Sequence, residues 1–278
     1  MLHVVLVQMG HGSSAKESFG KVESLLKRKN ILPDVFTPQE SPKNSLKGLI
    51  ILPEMFATGF IPLQPRDFAE DFSNTDSGVT AQFLQNLASR TGYAIMGAGI
   101  QTDAQGHLFN HSSVYLPYSS IEFACYDKVH PFFTEQRSIS PGQGINLFRI
   151  TDSANAAWNV ASTICFDLRF ALLYHSAAKS GAQLVTVQAS WPKSRIDHWE
   201  TLLRARAIEN QVYVAAVNEV SEEESSHKQP LGGTSMIISP KGEIITKGSL
   251  CNEEILEAEL DLSLLEEYRK DFPVYKFL

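Results

Sequence analysis

Apolar and polar positions along the chain follow the order of strands and helices. The β-branched run HVVLVQM precedes AKESFGKVESLLKRK, where apolar residues recur with helical spacing. The same order returns in AWNVASTICF and LRFALLYHSAAKSG, and again in AQLVTVQAS and IDHWETLLRARAIENQ. Continuous apolar runs of this kind are typical of strands that are covered on both faces. The pattern predicts an α/β protein with two layers of sheet, each covered by helices.

Other segments extend this pattern. We predict a strand over GLIILPEMF (48–56), a helix over TAQFLQNLASRTG that ends at Gly92, and strands over YAIMGAGI, HSSVYLP and YVAAVNEV. TSMIISPKGEIITKG predicts a hairpin whose turn is Pro240-Lys241-Gly242. No linker rich in Pro, Ser or Gly divides the 278 residues, so we expect a single domain over residues 1–278.

Composition narrows the class of protein. Lys and Arg number 24 against 31 Asp and Glu, for a net charge of −7, and the basic residues are scattered, so nucleic acid is not an expected partner. No apolar run approaches the roughly 20 residues of a membrane span, and MLHVVLVQMG lacks the features of a signal peptide. The three cysteines form no CxxC pair, which is typical of a reducing compartment. We expect a cytoplasmic protein without membrane contact.

Three reactive side chains follow predicted strands. Glu54 ends an apolar run, Lys128 lies where a strand gives way to a loop, and Cys165 closes the strand NVASTIC. Each has an ordinary structural explanation: an acid that accepts a backbone hydrogen bond, a solvated lysine, and a small core residue. Together they meet one chemical demand, which is nucleophilic attack on a carbonyl carbon.

That demand has three parts. A thiol at a strand-to-helix turn lies near the positive end of the helix, so we expect its thiolate to be favoured. A carboxyl group in apolar surroundings has a raised proton affinity and is able to act as general base and acid. An ammonium group beside the nucleophile balances the negative charge that develops on the attacked carbonyl. The three residues would support acyl transfer without histidine.

The segments that hold these residues resemble a known superfamily. In this order, ILPEMFATGF, YDKVHPF and TICFDLRF look like the three signatures of the nitrilase superfamily of carbon–nitrogen hydrolases. Further segments are similar to its bacterial omega-amidase branch, which acts on 2-oxoglutaramate-type ω-amides: SWP, HWETLLRARAIENQVYVAAVN, GGTSMIISPKGEII and EEYRKDFPVY. The resemblance implies a four-layer αββα sandwich of the nitrilase type, with two facing sheets covered by helices. It also implies that no metal or organic cofactor is needed.

The same resemblance assigns roles to individual residues. Glu54 would take the proton of Cys165, and Lys128 and the backbone N–H of Phe166 would stabilise the oxyanion. Glu135, in TEQRSISPG, would orient the lysine and the substrate; the alternative is a solvated loop acid.

Substrate-binding positions are implied as well. Trp191 would line the acyl pocket, or else it fills the core at a strand end. Phe60, the last residue of the first signature, is placed with the substrate-binding residues. The substrate carboxylate needs a cationic or N–H-rich partner, for which Arg169 and Arg195 are both candidates. For Arg169 a structural ion pair with a nearby acid such as Asp167 or Glu209 is the alternative.

Several residues invite other interpretations. His130, two residues after Lys128, suggests a papain-like Cys–His pair, but we expect it to be structural. The remaining candidates for metal ligation, His111, His175 and His198, show no ligand spacing with each other or with the cysteines, so a zinc site is not expected. Cys125 and Cys251 are predicted to be bystanders.

The leading hypothesis is a thiol amidohydrolase for 2-oxoglutaramate or 2-oxosuccinamate. One alternative keeps the chemistry but changes the substrate to a deaminated-glutathione-like or short aliphatic amide. The other is a non-catalytic scaffold protein. Superfamily members associate through helices, so we expect a homodimer, with the helix around residues 199–210 either at the interface or packed on its own sheet.

Overall fold

The computed structural model describes residues 1–33, 46–75, 78–221 and 229–277. Within these ranges the chain forms two mixed β-sheets and five α-helices. Each sheet has three parallel strands at its centre and antiparallel strands towards its edges. No helix in these ranges is both long and apolar enough to cross a membrane.

The first sheet combines strands from both ends of the chain. Its seven strands are β1 (Leu2–Gln8), β2 (Leu49–Ile51), β3 (Ala69–Glu70), β4 (Ala94–Thr102), β5 (Leu108–Tyr115), β6 (Ala124–Asp127) and β13 (Glu254–Leu260). They are arranged in the order β13-β1-β2-β4-β5-β6, with β3 paired to the end of β4. The parallel strands β1, β2 and β4 form the centre.

The second sheet is built from one continuous stretch of sequence. Its six strands are β7 (Leu147–Thr151), β8 (Ala157–Ile164), β9 (Leu184–Ala189), β10 (Tyr213–Asn218), β11 (Met236–Ile238) and β12 (Ile244–Lys247). They are arranged in the order β12-β11-β10-β9-β8-β7, and β8, β9 and β10 are the parallel centre. Most of its central residues are fully buried, which explains the continuous apolar runs in the sequence.

Helices cover the outer face of each sheet. On the first sheet, α1 (Ala15–Arg28) and α2 (Val79–Thr91) pack against Val5, Ile50 and Ile95. On the second, α3 (Ala171–Lys179) and α4 (Ile196–Asn210) pack against residues such as Val185 and Val214. The inner faces of the two sheets share one core, and α5 (Leu262–Asp271) contributes Leu265 to it. The expected αββα sandwich is confirmed.

Some predicted elements differ in extent. The strand predicted over residues 48–56 stops at Ile51, because Pro53 has no N–H to donate and Met55 adopts a positive φ of 47° in a turn. The helix predicted to begin next to Cys165 begins at Ala171 instead, after a 3₁₀ turn over Cys165–Arg169. The edge strands β7 and β13 and the terminal helix α5 were not predicted.

Candidate active site

Glu54 lies between the two sheets, just beyond the end of β2. Its side chain is fully buried. Leu52 still donates its N–H to Met96 O at 2.9 Å, and Gln188 Nε2 from β9 donates to Leu52 O at 2.7 Å. The second sheet therefore fixes the chain directly before the carboxyl group.

Lys128 follows β6 and joins two buried carboxyl groups. Its Nζ lies 2.8 Å from Glu54 Oε1 and 2.7 Å from Glu135 Oε2, and all three side chains are fully buried. Asn110 Nδ2, from β5, donates to Glu54 Oε1 and to Glu135 Oε1, each at 2.7 Å. The two carboxyl groups raise the pKa of Lys128 well above its usual range despite its burial, so the ammonium form is held.

Glu135 is not the solvated loop acid that the sequence left open. It lies in a 3₁₀ turn at Glu135–Arg137, and its side chain faces inward. Besides Lys128 and Asn110, its carboxyl group accepts the backbone N–H of Phe132 at 2.6 Å. These bonds fix the second carboxyl group that the lysine contacts.

Cys165 lies at the end of β8 in the left-handed region of backbone conformation, with φ of 46°. A non-glycine residue rarely adopts this conformation, and surrounding bonds must hold it. The buried carboxylate of Asp167 supplies them, since it accepts the N–H of Ile164 at 3.1 Å and the hydroxyl of Tyr126 at 2.7 Å. The same carboxylate accepts the N–H of His130 at 3.0 Å and so ties the cysteine turn to the lysine loop.

The surroundings of Cys165 do not favour the thiolate that we expected from the helix end. Burial raises the pKa of Cys165 well above its usual range, and the neighbouring Glu54 raises it further, whereas Lys128 lowers it. Burial also raises the pKa of Glu54, against the effect of Lys128. The helix that follows begins only at Ala171, too far along the chain to dominate. Both the thiol and the neighbouring carboxyl group thus have an increased proton affinity.

A cavity of about 310 Å³ opens above Cys165. Phe60, Phe166, Trp191, Arg169 and Arg195 all line it, together with Phe132, Thr134, Ser190, Pro192, Gln229 and Leu231. The lining combines aromatic rings with two guanidinium groups. The structure therefore brings all the residues proposed from the sequence to one site.

Trp191 both lines the cavity and packs in the core, the two roles considered from the sequence. Its ring is almost fully buried and lies against Trp199, with centroids 5.5 Å apart, and its indole N–H donates to the Arg195 carbonyl at 2.8 Å. The Arg169 guanidinium lies over this ring at 4.7 Å from the centroid. Lys128 Nζ lies 5.6 Å from the ring centroid of Phe60, which also lines the cavity.

The structural ion pair considered for Arg169 is not formed within the described ranges. Asp167 pairs with His130, whose Nδ1 lies 2.9 Å from Oδ1, and Glu209 pairs with Arg206 at 2.8 Å. His130 also stacks on Phe170 with centroids 3.6 Å apart. His130 is thus held by Asp167, as a structural residue would be.

Three residues of the site escaped the sequence analysis. Asn110 bridges the two carboxyl groups, Ser190 donates its backbone N–H to Glu54 Oε2 at 2.9 Å, and Glu219 accepts the Ser190 hydroxyl at 2.9 Å. Polar residues at or just beyond the ends of apolar strands, as in LFNHSSV, QAS and AVNE, were the available signal. Such a polar residue can be noticed in the sequence, but the sequence does not show which side chain it binds.

A second cluster of polar groups lies on the outer face of the first sheet. Ligand atoms of His111, Glu122 and Cys125 lie within 4.8 Å of one another, a group that sequence spacing did not reveal. However, His111 Nδ1 already binds Asp127 at 2.7 Å and Nε2 binds Glu122 at 2.8 Å, so both ring nitrogens are engaged. The two carboxylates raise the pKa of His111 to about 9, which favours an ion-pair cluster over a metal site. Cys125 and Cys251 are exposed free cysteines.

Comparison with known proteins agrees with this geometry. The carbon–nitrogen hydrolase family matches residues 4–270. A Staphylococcus lugdunensis protein named hydrolase in agr operon is 31% identical over 238 residues, covering 84% of this chain and 96% of that protein. The human omega-amidase NIT2 is 30% identical over 238 residues, covering 82% of this chain and 82% of that protein.

Solved structures show the same architecture. XC1258 from Xanthomonas campestris, a CN-hydrolase superfamily protein with an arsenic adduct in its active site, aligns with a TM-score of 0.81 at 26% identity, over 100% of this chain and 97% of that one. Nit3 of Saccharomyces cerevisiae, a nitrilase superfamily member, aligns with a TM-score of 0.81 at 26% identity, over 98% and 94%. The match of sequence and fold along nearly the whole chain shows that it belongs to the carbon–nitrogen hydrolases and is a hydrolase of amides.

Proposed function

We propose that this enzyme hydrolyses the ω-amide of small 2-oxo acid amides, 2-oxoglutaramate and 2-oxosuccinamate, to the dicarboxylate and ammonia. The observation that carries the proposal is the placement of Arg169 and Arg195 in the lining of the same cavity as Cys165. A guanidinium group binds a carboxylate through two parallel hydrogen bonds. A cavity of about 310 Å³ suits a small ligand. The kinship to omega-amidases of other organisms points the same way.

The proposed reaction has two stages. Glu54 removes the proton from Cys165 Sγ, and the sulfur attacks the amide carbonyl carbon. Lys128 and the backbone N–H of Phe166 stabilise the oxyanion, while Glu135 holds the lysine. Glu54 then gives the proton to the departing nitrogen, so that ammonia leaves and a thioester remains. Water, deprotonated by Glu54, hydrolyses the thioester and releases the carboxylic acid and the free thiol.

An ammonia assay tests this proposal. The purified enzyme is incubated with 2-oxoglutaramate and, separately, with butyramide, which has the amide but no carboxylate. We expect faster ammonia release from 2-oxoglutaramate and none from either amide with Cys165→Ala. Arg169→Met should lower kcat/KM for 2-oxoglutaramate by about 10–100-fold, the value of a charge-assisted hydrogen bond, and leave butyramide unchanged.

The outcomes separate the alternatives. Release of ammonia only from butyramide, or only from larger amides of the deaminated-glutathione type, would refute the proposed substrate but keep the thiol mechanism. Activity retained by Cys165→Ala would refute the mechanism itself. An equal effect of Arg169→Met on both amides would show that this arginine does not bind the carboxylate.

A further inference from the structure

A buried carboxyl group, that of Glu219, pairs with the partly exposed His11 next to the candidate active site. Glu219 follows β10 and is fully buried. Its Oε1 accepts the backbone N–H of His11 at 3.0 Å and pairs with the ring Nδ1 of the same residue. The hydrogen bond to Glu219 is the largest influence on His11 and raises its pKa, which favours the imidazolium form. A buried carboxylate is costly unless it is paired, and His11 supplies the pairing charge.

The other oxygen of Glu219 fixes Ser190. Ser190 Oγ lies 2.9 Å from Glu219 Oε2 and 3.3 Å from the Glu54 carbonyl oxygen. Ser190 then donates its own backbone N–H to Glu54 Oε2 at 2.9 Å. The same N–H lowers the pKa of the Cys165 thiol. The Ser190 amide group thus binds the proposed base and acts on the pKa of the proposed nucleophile, and Glu219 holds the hydroxyl of the same residue.

His11 also contacts the loop that follows Glu54. Gly59 leaves so little room that a Cβ at this position would lie 2.6 Å from His11 Nε2. The next residue, Phe60, lines the cavity. The pair is therefore packed between Ser190 on one side and the loop from Glu54 to Phe60 on the other.

We propose that the His11–Glu219 pair is a positioning device for amide hydrolysis, which holds Ser190 so that its N–H keeps the Glu54 carboxyl group beside the Cys165 thiol. Glu219 touches no reacting atom in this arrangement, and it acts through Ser190. The inference rests on the proposed roles of Glu54 and Cys165, but not on the identity of the amide.

Two substitutions at position 219 test this. Glu219→Ala removes the acceptor of the Ser190 hydroxyl, so we expect kcat per active site to fall by about 10–100-fold, the usual effect of a small misplacement of a catalytic group. The KM should change by less than about threefold, because Ser190 positions groups for the chemical step. Glu219→Gln keeps an oxygen that accepts the Ser190 hydroxyl, and it should restore kcat to within about threefold of the natural enzyme.

Asp152→Ala is the matched control. Asp152 is also a buried carboxylate, and it accepts the indole N–H of Trp158 at 3.1 Å near the start of β8, the end opposite Cys165. This variant also loses the hydrogen bonds of a buried carboxylate, but it changes no contact of Ser190. We expect it to lower the thermal midpoint of unfolding while kcat per active site stays close to that of the natural enzyme.

A second measurement does not depend on the substrate. The rate of Cys165 alkylation by iodoacetamide, in a background with Cys125→Ser and Cys251→Ser, reports how well Glu54 activates the thiol. We expect Glu219→Ala to slow alkylation and Glu219→Gln and Asp152→Ala to leave it unchanged. If Glu219→Ala matches Asp152→Ala in both kcat and alkylation, the positioning role is overturned. If Glu54→Gln itself fails to slow alkylation, the base role that the proposed function gives to Glu54 is contradicted instead.

Discussion

At the scale of single residues, one buried ammonium group balances the charge of two buried carboxyl groups at the centre of the site. Lys128 Nζ is the ammonium shared by the carboxyl groups of Glu54 and Glu135, and none of the three side chains reaches solvent. Removing one partner of such a group leaves buried charge without compensation. Lys128 should therefore matter for stability as well as for the proposed oxyanion stabilisation.

Replacement of this lysine tests both contributions. We expect Lys128→Met to lower the free energy of unfolding by about 3–5 kcal/mol at pH 7, as is usual for a broken buried pair. The loss should be smaller at pH 5, since a protonated Glu54 needs no cation. We expect the folded variant to lose about 10²–10³-fold in turnover, the value of one oxyanion donor. Urea unfolding and steady-state kinetics measure the two effects.

The control is the same substitution at an exposed pair. Lys247 Nζ lies 2.6 Å from Glu200 Oε2 on the surface. Lys247→Met should cost less than about 1 kcal/mol and leave turnover unchanged, because exposed ion pairs contribute little. Near-normal turnover in Lys128→Met would contradict the role proposed for the lysine.

The proton affinity of Glu54 gives a prediction of pH dependence. Burial raises the pKa of this carboxyl group above its ordinary value of 4.5. Since only the ionised form accepts the thiol proton, the alkylation rate of Cys165 should rise with pH through that raised pKa and then level off. In Glu54→Gln the rate should follow only thiol ionisation, whose pKa burial still raises, so at pH 7 it should be about 10²-fold slower. Superimposable pH profiles of the two proteins would contradict the base role.

The sequence identified the candidate reactive residues, but not the residues that hold them in place by hydrogen bonds. Glu54, Lys128 and Cys165 stand in segments that resemble known signatures, and Glu135 follows one of them. Asn110 and Ser190 escaped because the carboxyl group they bind is 56 and 136 positions away along the chain. Only the packing of one sheet on the other makes these contacts, and periodicity carries no information about it.

At the scale of elements, two glycines can be compared, one at the end of α2 and one inside α1. Gly92 terminates α2 in the left-handed conformation, with φ of 79°, and donates its N–H to Ala88 O at 2.9 Å. Gly20 lies inside α1 on an exposed face, where an added Cβ would meet nothing within 4 Å. The two glycines therefore differ in what an alanine would do.

We expect opposite effects of one substitution at these positions. Gly92→Ala should lower the free energy of unfolding by about 1–2 kcal/mol, because an L-residue is strained in the left-handed region. Gly20→Ala should raise it by about 0.5–1 kcal/mol, because alanine loses less conformational freedom in a helix. Urea unfolding of both variants checks the pair. A stabilising Gly92→Ala would mean that α2 ends in some other way.

Element prediction succeeded where periodicity is long and failed where strands are short or exposed. The helices α1, α2 and α4 were predicted nearly to their ends. In α1 and α2 the apolar residues recur on one face, whereas α4 has no such clear division and exposes Ile208. The edge strand β7 is only partly buried, so its sequence lacks the apolar run that marks a central strand. The strand predicted after Gly48 was too long, because the second half of the apolar run is a buried turn and not a strand.

At the scale of the whole molecule, the site is divided between the two sheets. Glu54, Lys128 and Asn110 come from the first sheet, whereas Cys165 and Ser190 follow strands of the second. The sequence established that two sheets exist but not their strand order, since β13 pairs with β1 across nearly the full chain. The candidate active site is complete only when the two sheets have packed against each other.

Association of two chains is the remaining prediction at this scale. The buried face of α4, with Trp199 and Leu203, packs on its own sheet, so this face is not available as an interface. The outer faces of α3 and α4 carry two exposed apolar side chains, Leu172 at 78% and Ile208 at 47% exposure. We propose that two copies meet through these outer faces. Burying one such side chain contributes about 1.5–3 kcal/mol.

Size-exclusion chromatography with light scattering tests the proposal. We expect the natural chain to have twice the monomer mass of 30.8 kDa and Leu172→Glu to shift it to the monomer, because a charged side chain would be buried without a partner. Leu264→Glu is the matched control, since Leu264 is 58% exposed on a different helix, α5, and this variant should stay dimeric. A natural chain that is monomeric at micromolar concentration would contradict the association. A dimer that survives Leu172→Glu but not Leu264→Glu would move the interface to α5.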